Sequence, residues 1–185
     1  MDTVVRDPFR EAWQAGSAGR PLSDVIAGRD PDAWPRFERG EWTEQQYFDS
    51  HRTVRVDVEK FHAARRAGYA WLPGMAELLD ELEGVAIRVA ASNYPVWIEE
   101  LTATILAGRF DLVVASHHLR VRKPEAEFYE GLLERLRLDA DEVVFVDDRE
   151  DNVRGALAVG MRAHLFVGAE DLRERLRLEG IAVAP

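Results

Sequence analysis

From residue 85 onward, short continuous apolar runs alternate with stretches in which apolar residues recur at helical spacing. Continuous runs are typical of strands buried on both faces, and their alternation with helices is typical of a parallel sheet. The runs cover residues 85–91, 112–115, 143–146 and 163–167, and the helical stretches cover residues 96–107, 125–138, 151–159 and 170–178. Several helical stretches end at a glycine, as helices often do. We therefore predict an α/β fold with four buried strands joined by right-handed crossovers.

The first seventy residues carry no β-branched run and show short helical patterns interrupted by proline and glycine. This pattern predicts a small helical module. Aromatic residues are concentrated in it: Trp13, Trp34, Phe37, Trp42, Tyr47, Phe48 and Phe61. A compact helical core is the favoured explanation, and a surface that stacks a planar ligand is the alternative.

Charge and composition argue against several functions. The 185 residues include 24 Lys and Arg against 34 Asp and Glu, a net charge of −10, and no cysteine. Nucleic-acid binding is not expected, because it draws most of its affinity from clustered cations. The lack of cysteine excludes disulfides, thiolate nucleophiles and cysteine zinc sites. No apolar run reaches the roughly 20 residues that span a bilayer, and no signal peptide is recognisable, so we expect a soluble, cytoplasmic protein.

Polar residues follow the first two predicted strands, at the sheet edge where ligands of open parallel sheets bind. Ser92 and Asn93 end the first run and precede a helix, where a hydroxyl and an amide can bind an anion or, more commonly, cap the helix. Lys123 is one of only two lysines and lies just before another helix start. It is either a site cation or part of a solvated turn.

The third run ends in the strongest signal, the adjacent carboxylates of Asp147 and Asp148. Two carboxylates directly after an apolar strand are costly to hold close unless a cation neutralises them, and oxygen ligands suit Mg²⁺. The alternative is an acid-rich helix N-terminus capped by Asp148 or Asp151. The adjacent His117 and His118 are not expected to bind a metal, because neighbouring residues in a strand point opposite ways.

Taken in order, Ser92-Asn93, Lys123 in Arg-Lys-Pro, and Asp147-Asp148 resemble three of the four signatures of the haloacid-dehalogenase-like hydrolases. Further segments, at residues 2–9, 68–75, 93–97 and 122–129, resemble a branch that includes plant flavin mononucleotide hydrolases. The resemblance implies a Rossmann-like core formed by residues 1–5 and 73–185. It also implies that residues 6–72 form a helical cap inserted after the first strand.

The resemblance further implies a Mg²⁺-dependent phosphatase that acts on a small phosphorylated metabolite through an aspartyl-phosphate. In that mechanism Ser92 bonds the phosphoryl oxygens and Asn93 helps to orient the group. Lys123 neutralises the charge of the nucleophile and the phosphoryl group. Asp148 is a direct Mg²⁺ ligand, and Asp147 acts through the water shell of the metal.

The first family signature, Asp-x-Asp-x-Thr, is absent, because the chain opens with Met1-Asp2-Thr3-Val4. If Thr3 takes the family's threonine position, the nucleophile lies two residues before Met1, and Met1 replaces the usual second Asp, the general acid/base. Asp2 then lies beside the site. If Val4 takes that position, Asp2 is the catalytic acid/base, and the nucleophile lies one residue before Met1. We prefer the first register. In either register the central first strand is largely missing, and the chain as it stands is predicted to be inactive.

Two other functions remain open. A haloacid dehalogenase uses the same nucleophile on carbon without metal, but Asp147 and Asp148 argue against it, because unneutralised acids beside a carboxylate nucleophile are unfavourable. A catalytically silent binding module is the second alternative, and it requires that the chain truly begin at Met1.

Overall fold

The computed structural model describes residues 1–183. Its strands are β1 (Val5–Arg6), β2 (Ala70–Trp71), β3 (Val89–Ser92), β4 (Leu112–Ala115), β5 (Val144–Asp147) and β6 (Arg162–Leu165). The first helices are α1 (Phe9–Gly16), α2 (Leu22–Ala27), α3 (Ala33–Glu38), α4 (Glu44–Asp49), α5 (Val58–Gly68) and α6 (Met75–Glu81). The remaining helices are α7 (Ile98–Ala103), α8 (Ser116–Leu119), α9 (Ala126–Leu136), α10 (Glu150–Ala158) and α11 (Ala169–Leu178). The predicted α/β class is confirmed.

The four predicted strands form two parallel pairs. β3 pairs with β4, with Val89 opposite Leu112, and β5 pairs with β6, with Val144 opposite Arg162. The predicted start of the first strand at residue 85 is wrong. The N–H groups of residues 85 and 86 bond back to the Leu82 carbonyl and so continue the turn that ends α6, and β3 begins only at residue 89.

Within residues 1–183, β3 has no partner strand other than β4, and β5 has none other than β6. A cavity of about 840 Å³ lies between the two pairs and is lined by residues of both β3 and β5, with leucines of α6, α9 and α11 around it. The strands are therefore only partly buried, which corrects the prediction of strands covered on both faces. We refer to this cavity as the interstrand cavity.

The five helices α1–α5 lie between β1 and β2 and confirm a helical region there. Local signals explain two of their starts: Thr43 and Gln46 form a capping box at α4, and the Asp57 side chain caps α5. Helices α1 and α5 pack so closely that a Cβ on Gly16 would lie 2.9 Å from the Cβ of Phe61. A glycine at this position therefore allows the two helices to approach each other. The boundaries of this region at residues 6 and 72 stay a prediction.

The aromatic side chains of this region pack mainly on one another. Trp13 meets Phe61 edge-on with ring centroids 5.1 Å apart, and Phe37 stacks on Tyr47 at 4.7 Å. Trp97, the N-cap of α7, and Leu101 of α7 join the same cluster. The favoured explanation, a compact helical core, is confirmed for most of them, and we call this group the aromatic cluster.

The antiparallel pair β1 and β2 was not predicted from the sequence. It joins the two ends of the helical region, with Val5 opposite Trp71. Two residues are too few to show the alternation that marks a strand. Among residues 1–183, no helix combines the length and the apolar character needed to cross a membrane.

Candidate active site

Six residues were predicted for the site, and all of them line the interstrand cavity: Asp2, Ser92, Asn93, Lys123, Asp147 and Asp148. Their position follows from the parallel pairing, because β3 and β5 both end at this edge, at Ser92 and Asp147. Lys123 reaches the same edge from the segment between α8 and α9. Side chains separated by more than 140 residues in the chain are thus brought to one place.

Lys123 and Asp147 form a buried ion pair, with 5% and 4% of their surfaces exposed. The Nζ of Lys123 lies 2.6 Å from Oδ2 of Asp147 and also donates to the Ala91 carbonyl of β3 at 2.8 Å. A lysine held this way is not part of a solvated turn, so that alternative is wrong. The ammonium bridges the ends of β3 and β5 across the cavity.

The charge state of Asp147 reflects these contacts. Burial by itself would raise its pKa, but Lys123, the Asn152 amide and the Arg149 N–H together lower the pKa below its usual range. Oδ1 accepts from Arg149 N at 3.0 Å and from Asn152 Nδ2 at 2.9 Å. The carboxylate is therefore held ionised at neutral pH.

Asn93 holds the backbone of Lys123. Its Oδ1 accepts from the Lys123 N–H at 2.8 Å, and its Nδ2 donates to the Lys123 carbonyl at 2.9 Å. Neither Ser92 nor Asn93 caps α7, whose N-cap is Trp97 with no side-chain bond, so the capping alternative is wrong. Asn93 fixes the position from which Lys123 reaches Asp147.

Asp148 is exposed and is tied to the chain start. Its Oδ1 accepts from Thr3 Oγ1 at 3.1 Å, and its N–H donates to the same hydroxyl oxygen at 3.3 Å. The alternative of a capping role for Asp148 or Asp151 is wrong, because the N-cap of α10 is Arg149 and no side chain caps that helix.

The carboxylates of Asp147 and Asp148 fit Mg²⁺ by the chemistry of their donors. Mg²⁺ takes oxygen ligands and binds through one or two protein carboxylates, keeping waters or substrate phosphates in its other positions. Among the residues that the structure describes, no three or more His, Cys, Asp or Glu are grouped as a ready-made metal cage. His118 is engaged elsewhere: its Nδ1 accepts from the Ala115 N–H, and its Nε2 lies 2.7 Å from Glu99.

Asp2 serves the local turn. It has a left-handed backbone, with φ 56°, and its Oδ1 accepts from the Asp7 N–H at 2.9 Å. Its predicted role in acid/base catalysis stays a prediction. The Met1 α-amino group beside it is buried. Burial is the main cause that lowers the pKa of this amine, and the positive charge of Lys123 lowers it further.

Three functional contacts were missed in the sequence. Asn152 donates to Asp147, and Thr3 donates to Asp148. Both residues lie in segments that resemble the family signatures. Glu38 lies at the end of α3 and also lines the interstrand cavity. A single glutamate among aromatic residues carried no signal that could have identified it.

The two parallel strand pairs bring a buried lysine and two carboxylates to one edge, which is where open α/β folds bind their ligands. A family model described as "Haloacid dehalogenase-like hydrolase" matches residues 37–166. The chain belongs to this family, as its motifs suggested.

One curated relative is a hydrolase by name and another is a phosphatase by name. The chain is 32% identical over 190 residues to flavin mononucleotide hydrolase 1 of Arabidopsis thaliana, covering 100% of this chain and 76% of the relative. It is 48% identical over 149 residues to a sesquiterpene phosphatase of Aspergillus oryzae, covering 76% of this chain and 75% of the relative.

Solved structures agree on the fold. A haloacid dehalogenase family enzyme of Bacteroides thetaiotaomicron superposes with a TM-score of 0.76 at 18% identity, covering 94% of this chain and 93% of that one. A magnesium complex of the same enzyme gives a TM-score of 0.74 at 19% identity, covering 95% and 93%. At this identity the likeness establishes the fold alone.

Proposed function

We propose that the protein is a Mg²⁺-dependent phosphatase that hydrolyses a small phosphomonoester through an aspartyl-phosphate. The observation that carries this proposal is the buried Lys123–Asp147 pair beside Asp148 in a cavity at the carboxyl edge of the sheet. Phosphoryl transfer depends mainly on positioned charge, and this arrangement supplies it. The name of one relative, a flavin mononucleotide hydrolase, and that of another, a sesquiterpene phosphatase, support the same reaction class.

The side chains divide the work by their chemistry. Lys123 neutralises the phosphoryl oxygens and the attacking carboxylate, and the Ser92 hydroxyl donates to a phosphoryl oxygen. Asn93 keeps Lys123 in position through the two bonds to its backbone. Asp148 would hold Mg²⁺ directly and Asp147 through water, and the ion supplies positive charge to the transferring group.

The nucleophile is proposed to be an aspartate upstream of Met1, at the end of a strand that lies between β3 and β5. Two observations support this proposal. The facing edges of β3 and β5 border a cavity instead of a strand. In addition, the buried Met1 amine is unfavourable as a charged group, whereas a peptide N–H at that point carries no charge.

The test is Asp148→Asn in protein translated from the codons upstream of Met1. We expect turnover of p-nitrophenyl phosphate to be abolished, or the Mg²⁺ requirement to rise sharply, because a direct ligand loses its charge. Asp171→Asn is the matched control: it removes one carboxylate that pairs with Arg175 at 2.6 Å, outside the cavity. Full activity of the Asp148 variant at ordinary Mg²⁺ would contradict the metal assignment.

The substrate proposed first is flavin mononucleotide, on the strength of the Arabidopsis relative's name alone. A panel of flavin mononucleotide, nucleotides and sugar phosphates tests it. Turnover of a 2-haloacid without Mg²⁺, and of no phosphate ester, would instead identify a dehalogenase. Ligand binding with no turnover by the upstream-extended protein would identify a silent binding module.

A further inference from the structure

Glu38 is a buried carboxyl group that faces the site from the helical region. Only 3% of its surface is exposed, and it lines the interstrand cavity together with Asn93, Lys123 and Asp147. Its Oε1 accepts from Trp34 Nε1 at 2.5 Å. Its Oε2 lies 2.9 Å from Nε of Arg122, the residue that precedes Lys123, but neither of these two atoms makes a hydrogen bond of good geometry.

The backbone of Glu38 is also fixed to the core. Its carbonyl accepts from Ser116 Oγ at 2.9 Å, and Ser116 is a fully buried residue at the start of α8. The same hydroxyl oxygen accepts from the Tyr94 N–H at 3.0 Å. The position of Glu38 over the site is therefore fixed by its own helix, α3, and by Ser116 of α8.

Burial raises the pKa of Glu38, one of the acids that line the cavity, to about 7. The groups that oppose this rise are Arg122, the Trp34 N–H, Arg39 and Lys123. By contrast, although burial opposes it, Lys123 helps to hold the pKa of Asp147 below its usual range. A group whose pKa lies near the working pH is the most effective at both giving and taking a proton.

We propose that Glu38 is the catalytic acid and base of the phosphatase reaction, an assignment that rests on the proposed function. In the first step the aspartate nucleophile bonds to phosphorus and the bond from phosphorus to the leaving oxygen breaks. The leaving oxygen keeps that electron pair and takes the proton of Glu38. In the second step the Glu38 carboxylate takes a proton from a water molecule while the oxygen of that water bonds to phosphorus. The aspartate regains its electron pair, inorganic phosphate is released and Glu38 is protonated again.

The partners of Glu38 suit both states. The carboxylate left after proton donation is stabilised by the Arg122 guanidinium and the Trp34 N–H. The protonated form is favoured by burial, and Oε2 makes no hydrogen bond of good geometry within the protein. The preferred register of the first family signature places Met1 where the usual acid would stand, so the reaction needs an acid from elsewhere.

The first measurement uses the 185-residue chain and is independent of activity. Carbon-detected NMR of the side-chain carboxyls follows Glu38 across pH, with assignment by Glu38→Gln. We expect a midpoint near neutral pH for Glu38. A midpoint near 4.5, the ordinary glutamate value, would overturn the assignment, whatever the enzyme does.

The second measurement compares phenyl phosphate with p-nitrophenyl phosphate in the upstream-extended protein. Glu38→Gln should slow phenyl phosphate turnover on the order of 10²-fold. It should affect p-nitrophenyl phosphate little, since nitrophenolate leaves without a proton. Loss of fold would slow the turnover of both substrates equally. The ratio of the two turnover rates therefore reports only the loss of proton transfer to the leaving group. Glu41→Gln, at an exposed glutamate paired with Arg39, should leave the ratio unchanged.

Equal losses on the two substrates would assign Glu38 a structural role and refute the catalytic one. If the wild-type extended protein hydrolyses no phosphate ester although Glu38 titrates near neutral pH, the proposed function fails and this assignment fails with it. If the wild type is active and Glu38 titrates normally, the function stands and only the assignment of Glu38 is lost.

Discussion

The aromatic cluster and the interstrand cavity are opposite solutions to packing in one chain. In the cluster, Trp13, Phe37 and Tyr47 fill the space between helices, and each is at most 1% exposed. At the cavity, two pairs of parallel strands face each other across about 840 Å³. The helical region thus shares a filled core with Trp97 and Leu101, whereas the two strand pairs leave an open space between β3 and β5.

The energetic difference lies mainly in the backbone. Helices satisfy their own N–H and C=O groups, but a strand edge facing a protein interior does not. Each buried group without a partner costs about 1–3 kcal/mol, against a total stability of about 5–15 kcal/mol. A strand between β3 and β5 would satisfy both edges and bring a nucleophile to Lys123.

Among changes at the interstrand cavity, Lys123→Ala should have the largest effect on stability and turnover. It leaves Asp147 buried without its cation, which costs about 3–5 kcal/mol of unfolding free energy. It should also slow turnover on the order of 10²-fold or more in the upstream-extended protein. Denaturant unfolding and p-nitrophenyl phosphate kinetics measure the two effects.

Lys60→Ala is the control, because Lys60 is the other lysine and its side chain is 71% exposed. It should change neither quantity appreciably. The Lys123–Asp147 contribution should be present above the ordinary aspartate pKa and disappear as pH falls through the lowered pKa of Asp147. Equal losses in the two lysine variants would remove the distinction between the regions.

A matched pair of leucines compares the packing directly. Leu101 belongs to the aromatic cluster and is 1% exposed, whereas Leu79 borders the interstrand cavity and is 6% exposed. Leu101→Ala should cost about 3 kcal/mol and Leu79→Ala clearly less, because Leu79 lacks packing partners on its cavity side. Chemical denaturation of the 185-residue chain measures both, and equal costs would mean that the cavity is closed in solution.

The raised pKa of Glu38, at the interstrand cavity, predicts that the free energy of unfolding depends on pH. Its folded pKa of about 7 lies above the unfolded value, so the folded state binds the proton more tightly. Stability should therefore fall as pH rises from about 4.5 to about 7, by on the order of 2–3 kcal/mol. Glu38→Gln should flatten this slope. An unchanged slope would show that Glu38 is ionised throughout the range.

The smallest expected effect concerns substrate choice. Trp34 lines the interstrand cavity, whereas Trp42 lies outside it beside Arg36. Trp34→Phe should shift the ratio of kcat/KM between flavin mononucleotide and a sugar phosphate several-fold, together with some loss of stability. Trp42→Phe should leave that ratio unchanged. Identical ratios in both variants would leave the helical region a purely structural role.

Local patterns were sufficient for much of this architecture. The strand ends carrying Asn93 and Asp147, and the isolated Lys123, were identifiable because apolar runs stop there and polar residues begin. The late start of β3 was not, because residues 85 and 86 are apolar yet continue a turn set by backbone bonds to Leu82. The role of Glu38 depends on its burial against Arg122, a contact over 84 residues that no local pattern contains.

The most direct test is to assay p-nitrophenyl phosphate with Mg²⁺ using the 185-residue chain and the protein translated from codons upstream of Met1. We expect about five to eight mostly apolar upstream residues, leading into an aspartate one or two positions before Met1. The extended protein should be more stable and active, and the 185-residue chain inactive. Turnover by the 185-residue chain alone, or an in-frame stop codon immediately upstream, would contradict a nucleophile supplied on a strand between β3 and β5.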